Sequence, residues 1–393
     1  MSNIWNIYTK LEKIAIKPFS ILYNCKNIIS GNYVIIKEIN KEKFRFHTKL
    51  NFNKNEIMNK TNNEIIIDTF DSNDNFYIIM KKNKKEVNTI KINNLQNITS
   101  INIHKNTISS ISIFPSGNII SVSFDKSIII YHNINLNVIQ NIPNAHDRYI
   151  IYIGVKDENN FITCSYDKCV KLWVKMENQY INNKIIKNMH DDWISKIIFC
   201  SNGNLISCSG DKKIKIWKEN NNNYENIKIL THSDKIFSLL LLEDKNILIS
   251  SGYDGTKLWS LNINDINSIN LIQYFQETSC GWHSQLCRFN DDIIIVRGKG
   301  MENGKLKLIS ISKKEIIKEI DNLCTCFSII VIEDKGVFLV GGKKDIKIYR
   351  NDNHECIQTI KNTHNNCINQ FITLKNGSIA SCSFDNSLKV WSF

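Results

Sequence analysis

Proline is almost missing from this chain. Three occur in 393 residues, so few positions are barred from donating to a β-ladder, and Pro115 falls in a turn cluster where its missing N–H costs no ladder bond. Long apolar runs are missing too. Nothing approaches the ~20 residues needed to span a bilayer, and Met1 to Ser20 carries Lys10, Glu12, Lys13 and Lys17 where a signal peptide is apolar. A soluble, cytoplasmic protein is expected, with no membrane association. Twelve cysteines include no C-x-x-C pair, and Cys324-Thr325-Cys326 has the wrong spacing for a zinc knuckle; no metal and no cofactor are expected. Cys164, Cys208 and Cys382 fall within or beside one recurring strand motif (ITCSYD, ISCSGD, IASCSFD). They read as small buried apolar residues in a reducing compartment.

What is present is a globular composition, 42% hydrophobic and 22% charged. The net charge of +12 comes mostly from lysine in a chain crowded with Asn and Ile, the signature of an AT-rich gene more than of a nucleic-acid partner. Residues 1–93 carry 16 basic and 9 acidic side chains, 16 − 9 = +7, so the excess sits at the front.

Turn clusters interrupt the apolar runs at a regular interval. Stepping from Gly117 through Asn159, Gly203, Lys245, Asp291 and Lys335 to Gly377 gives intervals of 42, 44, 42, 46, 44 and 42. Each turn is flanked by short runs rich in Ile, Val, Phe and Leu, such as Ser110–Phe114 and Asn118–Val122. Asn and Gly tolerate the left-handed backbone of tight hairpins, so these are strand, turn, strand units. Seven units of ~40 to 45 residues fit seven four-stranded propeller blades.

Within the units a histidine is followed by an aspartate and then an aromatic: His146, Asp167, Trp173; His190, Asp211, Trp217; His364, Asp385, Trp391, each at intervals of 21 and 6. His104, Asp125 and Tyr131 keep the spacing with Tyr for Trp, while His232, Asp254 and Trp259 run 22 and 5. These residues resemble the WD repeats. That resemblance implies a seven-bladed β-propeller over about 95–393, with a buried network of His, strand Ser, turn Asp and Trp in each blade. Ser123, Ser165, Ser209 and Ser383, two residues before the aspartate, are expected to supply the hydroxyl, and Gly252 breaks that pattern. A His-Ser-Asp set repeated five times is structural, not a hydrolase triad. The unit from Ser279 to Ser312 keeps Trp282-His283 but no Asp-to-Trp motif, and the next keeps only Asp345 and Tyr349. The last unit has three strands before Phe393, so Ile98–Ile103 is expected to supply its fourth and close the ring.

Residues 1–94 do not fit the repeat and are expected to form a small α+β domain. The strand reading GNYVIIKEI, a helix from about Lys41 to Lys60, and the runs EIIIDTF and NFYIIM resemble the small lobe of a protein kinase. In that resemblance Lys37 takes the place of the lysine that pairs with nucleotide phosphates. The glycines of the phosphate-covering loop are replaced by Ala15, Lys17 and Ser20, Glu56 and Lys54 compete for the helix glutamate position, and no catalytic loop follows. A truncated, inactive lobe is implied.

The expected function is a non-enzymatic scaffold or adaptor for other proteins, monomeric or part of a larger complex. The alternatives are a kinase-derived nucleotide binder and a nucleic-acid-associated protein using the basic front. In WD propellers the face bearing the turn Asp takes most partners. Just before that Asp stand Phe124, Tyr166, Gly210, Tyr253 and Phe384, and three residues after the histidine stand Thr107, Tyr149, Trp193, Lys235 and Cys367. Phe124, Tyr149, Tyr166, Trp193, Lys235, Tyr253 and Phe384 are therefore expected to form a partly aromatic, partner-binding rim, as protein hot spots do.

Overall fold

The computed structural model describes residues 8–17, 20–27, 33–40, 66–71, 75–81 and 95–393, the last apart from 221–222, 263–264, 279–285, 299–304 and 321–327. The chain divides into two compact units, Met1–Ile92 and Asn93–Phe393.

In the first unit β1 (Tyr8–Lys17), β2 (Ser20–Asn27), β3 (Tyr33–Asn40), β4 (Ile66–Asp71) and β5 (Asn75–Lys81) form one sheet in the order β1-β2-β3-β5-β4. Every pairing is antiparallel. Lys37 stands on β3, opposite Leu22 of β2 and Ile78 of β5. The helix expected over about Lys41 to Lys60, with Lys54 and Glu56, lies outside the described residues.

In the second unit seven four-stranded antiparallel sheets follow one another. Blades 1 to 6 span 108–142, 150–186, 194–231, 236–275, 287–320 and 328–360, and blade 7 takes three strands from 368–392. Its fourth is β6 (Gln96–Ile101), which pairs with Leu388–Ser392 in a register running from Leu388↔Ile101 to Ser392↔Gln96. The expected closure is thus made, by a segment two residues nearer the front than Ile98–Ile103.

The strand patterns follow from where each strand lies. Second strands are covered on both faces by neighbouring blades, and Ile119–Ser123, Leu205–Ser209, Val337–Gly341 and Ile379–Ser383 are buried throughout. They read IISVS, LISCS, VFLVG and IASCS, without the alternation of a half-solvated sheet. Cys164, Cys208 and Cys382 lie in this layer, fully buried. Fourth strands such as Val138–Ile142 and Cys356–Ile360 are largely exposed.

The core is distributed along the seams between blades. Ile120, Val122 and Ile128 of blade 1 pack with Ile153, Phe161 and Trp173 of blade 2, and Ile108, Ile119 and Tyr131 of blade 1 pack with Ala380, Cys382 and Leu388 of blade 7. Blades 5 and 6, expected from period and strand pattern, have four strands each like the rest, though the first strand of blade 5 is only Cys287–Arg288.

Because β6 covers the last open edge, its removal exposes both the strand Leu388–Ser392 and the blade 7 seam. A chain beginning at Leu95 is expected to melt in one cooperative transition followed by circular dichroism. A chain beginning at Ile103 is expected to melt at least about 5 °C lower, since several kcal/mol of pairing and burial are lost and each is worth about 2–4 °C in a large domain.

Candidate interaction face

In five blades the recurrent residues meet in one chain of hydrogen bonds. In blade 2 the Trp173 indole N–H donates to the Thr163 hydroxyl at 2.9 Å, Thr163 lies 2.8 Å from His146 Nε2, and His146 Nδ1 lies 2.8 Å from Asp167. Trp217, Ser207, His190 and Asp211 repeat it in blade 3. Trp259, Ser250, His232 and Asp254 do so in blade 4, and Trp391, Ser381, His364 and Asp385 in blade 7. In blade 1 the Tyr131 hydroxyl takes the indole's place, 3.2 Å from Ser121, which meets His104 at 2.7 Å, and His104 meets Asp125 at 3.0 Å.

The hydroxyl in this relay stands four residues before the aspartate, not two. Strand geometry gives the reason: Trp173 is paired with Phe161, and its ring reaches diagonally to Thr163, the next residue on that face, leaving Ser165 beyond it at the strand end. Ser123, Ser165, Ser209 and Ser383 instead brace the turn. Each accepts the N–H of the following aspartate residue, as in Asp167 to Ser165 at 3.1 Å, and donates to a carbonyl just after the histidine. Blade 4 keeps a complete relay despite Gly252, where a Cβ would come 2.4 Å from the Lys235 carbonyl oxygen.

A further recurrent residue was readable in the sequence but not singled out. Lys171, Lys215, Lys257 and Lys389 each stand two before the tryptophan, and each ammonium donates to the carbonyl preceding the histidine, at 2.7–3.0 Å. Lys215 and Lys257 also lie 5.6 and 5.7 Å from the centres of Trp217 and Trp259. The signal is Lys-x-Trp, four times.

Each relay histidine side chain is wholly buried, and each partner aspartate is at most 12% exposed. Burial holds His146, His190, His232 and His364 below their ordinary value of 6.5, against the pull of the aspartates. Burial by itself raises the aspartates, but hydrogen bonds from the histidine and from nearby N–H groups outweigh it, holding Asp167 and Asp254 at about 2 and lowering Asp125, Asp211 and Asp385. A neutral imidazole donating through Nδ1 to a carboxylate and accepting at Nε2 satisfies every group. Each set ties the loop after the histidine to the turn that carries the aspartate.

The locked loops carry the rim. The residue before each aspartate donates its N–H to the carbonyl of the residue three after the histidine: Phe124 to Thr107, Tyr166 to Tyr149, Gly210 to Trp193, Tyr253 to Lys235 and Phe384 to Cys367, at 2.9–3.1 Å. The rings from these positions form a continuous arc. Phe384 meets Phe124 at 6.2 Å, Phe124 stacks on Tyr149 at 4.8 Å, and Tyr149 meets Tyr166 edge-on at 6.0 Å. Tyr166 then stacks on Trp193 at 5.6 Å, Trp193 meets Phe237 at 5.5 Å, and Phe237 meets Tyr253 at 4.6 Å.

Phe237, absent from the expected rim, joins the arc because it lies five residues after the histidine, outside the two positions compared. Gly210 is explained by Trp193, whose ring leaves no room: a Cβ there would lie 2.7 Å from the indole. Trp193 and Phe237 are buried, whereas Tyr149 and Tyr253 are 45% and 36% exposed. Among the described residues the arc spans blades 7, 1, 2, 3 and 4, the same five in which a relay is seen. Trp282 and His283 lie outside the described residues, and Asp345 of blade 6 accepts the Asn362 N–H at 2.9 Å.

Comparison with known proteins agrees with this geometry. Residues 95–132, 140–174, 183–218 and 354–392 match the family model "WD domain, G-beta repeat", so these stretches are WD40 repeats. Over 81 residues, 20% of this chain, it is 35% identical to Lissencephaly-1 homolog 1 of Paramecium tetraurelia, and the match spans about a fifth (19%) of that protein. The fold is similar to the crystal structure of the WD40 beta propeller domain of Doa1, with a TM-score of 0.61 at 16% identity over 77% of this chain and 98% of that one. Among the described residues no helix is long and apolar enough to cross a membrane.

Two outcomes follow. Thr163→Val leaves His146 Nε2 and the Trp173 N–H buried without partners and is expected to cost about 2–4 kcal/mol in chemical denaturation, against about 1 kcal/mol for Ser165→Ala. The second concerns acid. With folded pKa values below 6.5, His146, His190, His232 and His364 contribute stability that is intact above about pH 6.5 and is lost as pH falls below it, because the unfolded chain then binds more protons. The aspartates, lowered from 3.8, contribute stability that is intact above about pH 4 and fades toward pH 2. The melting temperature is therefore expected to be level between pH 7 and 8 and to drop already between pH 6.5 and 5.

Proposed function

We propose that the propeller is a non-enzymatic scaffold that grips a peptide or loop of another protein on the face carrying the aromatic arc. The WD40 repeats support the scaffold role, and the arc itself carries the choice of face. Seven rings in unbroken contact are held by loops that the buried relays fix in place, with Tyr149 and Tyr253 open to solvent. Rigid aromatic side chains supply contact area at little entropic cost, which is why they dominate interface hot spots. For residues 1–94 the absent glycines of the phosphate-covering loop favour a structural or docking sheet over a nucleotide site.

The test is affinity purification of the full chain followed by mass spectrometry. Tyr149→Ala together with Tyr253→Ala is expected to reduce recovered partner at least about thirtyfold, since hot-spot truncations cost about 2 kcal/mol or more. Ile139→Ser, on the outer strand of blade 1 and 47% exposed, is expected to change nothing. Equal recovery with all three chains would remove the face from consideration.

A further inference from the structure

Two rim positions are filled in a regular way. Two residues after the relay histidine, a side chain usually accepts the N–H of its own successor: Asn106 from Thr107, Asp192 from Trp193, Asp234 from Lys235 and Asn366 from Cys367, at 2.7–2.8 Å. Blade 2 has Arg148 there, which carries no acceptor and cannot make that bond. One residue after the relay aspartate, the backbone is left-handed at Lys126, Lys168, Lys212 and Asn386, with φ of +70, +65, +70 and +67°. Lys168 and Lys212 reach across to the next blade, their ammonium groups 2.7 and 3.0 Å from the carbonyl oxygens of Asp191 and Ser233. Lys126 makes no such bond to the described residues, and the Arg148 guanidinium has no hydrogen-bonded or ion-pair partner among them.

Both of these cations open on the same cavity. It holds about 580 Å³ between blades 1 and 2 and is lined by Phe124, Lys126, Asp147, Arg148, Tyr149 and Tyr166. Among its lining rings, Tyr149 stacks flat on Phe124 and meets Tyr166 edge-on. Among the described residues two cations and one carboxylate leave a net charge of 2 − 1 = +1 on the lining. That balance suits a single negative charge, and Asp147 works against a dianion. A guanidinium without a partner among the described residues matches a carboxylate in two-pronged geometry, and the rings suit an apolar neighbour of that carboxylate.

We infer that this cavity is the specificity pocket of the rim for an acidic peptide, a segment in which an aspartate or glutamate stands beside an aromatic or branched aliphatic side chain. The inference rests on the rim reading above and adds the chemistry of what the rim selects.

A display library of random 12-residue peptides, selected on the immobilised full chain, tests it. Recovered peptides are synthesised and titrated by fluorescence polarisation against the unaltered chain, against Lys126→Gln with Arg148→Gln, and against Tyr149→Ala with Tyr253→Ala. The expected peptides carry Asp or Glu next to Phe, Tyr, Trp, Leu or Ile. Both changing that acid to its amide and the Lys126/Arg148 double variant are expected to weaken binding at least tenfold, with the melting temperature unchanged because Arg148 is exposed and Lys126 only half-buried. Basic or neutral peptides, equal affinity for the Lys126/Arg148 variant, or tighter binding when phosphoserine replaces the acid would each overturn the inference. If the tyrosine variant weakens binding while the Lys126/Arg148 variant does not, the pocket is wrong and the rim stands. If no recovered peptide responds to either variant, both fail.

Discussion

A buried imidazole tolerates no vacancy at either nitrogen, and the propeller is organised around meeting that demand. The cost of an unpaired polar group in a low-dielectric interior exceeds the gain from a typical hydrogen bond, so a relay is worth having only when complete. Here completion needs a hydroxyl on the second strand, an indole or phenol on the third, and a carboxylate in the turn between them. The carboxylate does more than hold its histidine. In each of the five blades it also accepts the N–H of the residue after the histidine, at 2.7–3.1 Å, and in four it accepts the N–H two residues beyond itself. One charge thereby fixes two stretches of loop that are distant in sequence.

The rim is a product of that fixing. Phe124, Tyr166, Tyr253 and Phe384 each immediately precede a fixed aspartate, and Tyr149 and Trp193 each follow a fixed histidine by three residues. Their rings meet because the loops beneath them cannot move apart. Blades 5 and 6 show the converse. Blade 5 has Lys307 at the place of the recurrent lysine, nearly buried and paired with Glu277 and Glu319 at 3.0 and 2.8 Å, and blade 6 has Gly342, Lys343 and Lys344 before Asp345. Among the described residues the aromatic arc does not extend onto either.

Much of this was legible in the residues, for a physical reason: a repeated unit presents the same constraint many times, so spacing separates it from chance. The seven blades, the closure by a strand ahead of His104 and the His, Asp and Trp positions are all periodic. Which serine meets the imidazole was not legible from spacing, because Ser121 and Ser123, or Ser207 and Ser209, lie on the same face of one strand, and only the reach of the ring chooses between them. The lysine two before each tryptophan was present as a pattern but has no meaning until the carbonyl it covers is located in space. The seating of Trp193 over Gly210 depends on two residues that no spacing rule connects.

Closing the ring with β6 has a temporal consequence. Asn97 and Val390, which touch in blade 7, are 293 residues apart in the chain. Bringing such distant segments together costs about 5 kcal/mol of loop entropy beyond a constant term, so this contact gains stability only after the intervening blades have shortened the path. On a translating ribosome the earlier segment emerges first and waits roughly 15–60 s for its partner at ordinary elongation rates. Until then a strand edge and an apolar seam lie open, and this is the interval in which a nascent toroid is most exposed to pairing with the wrong chain.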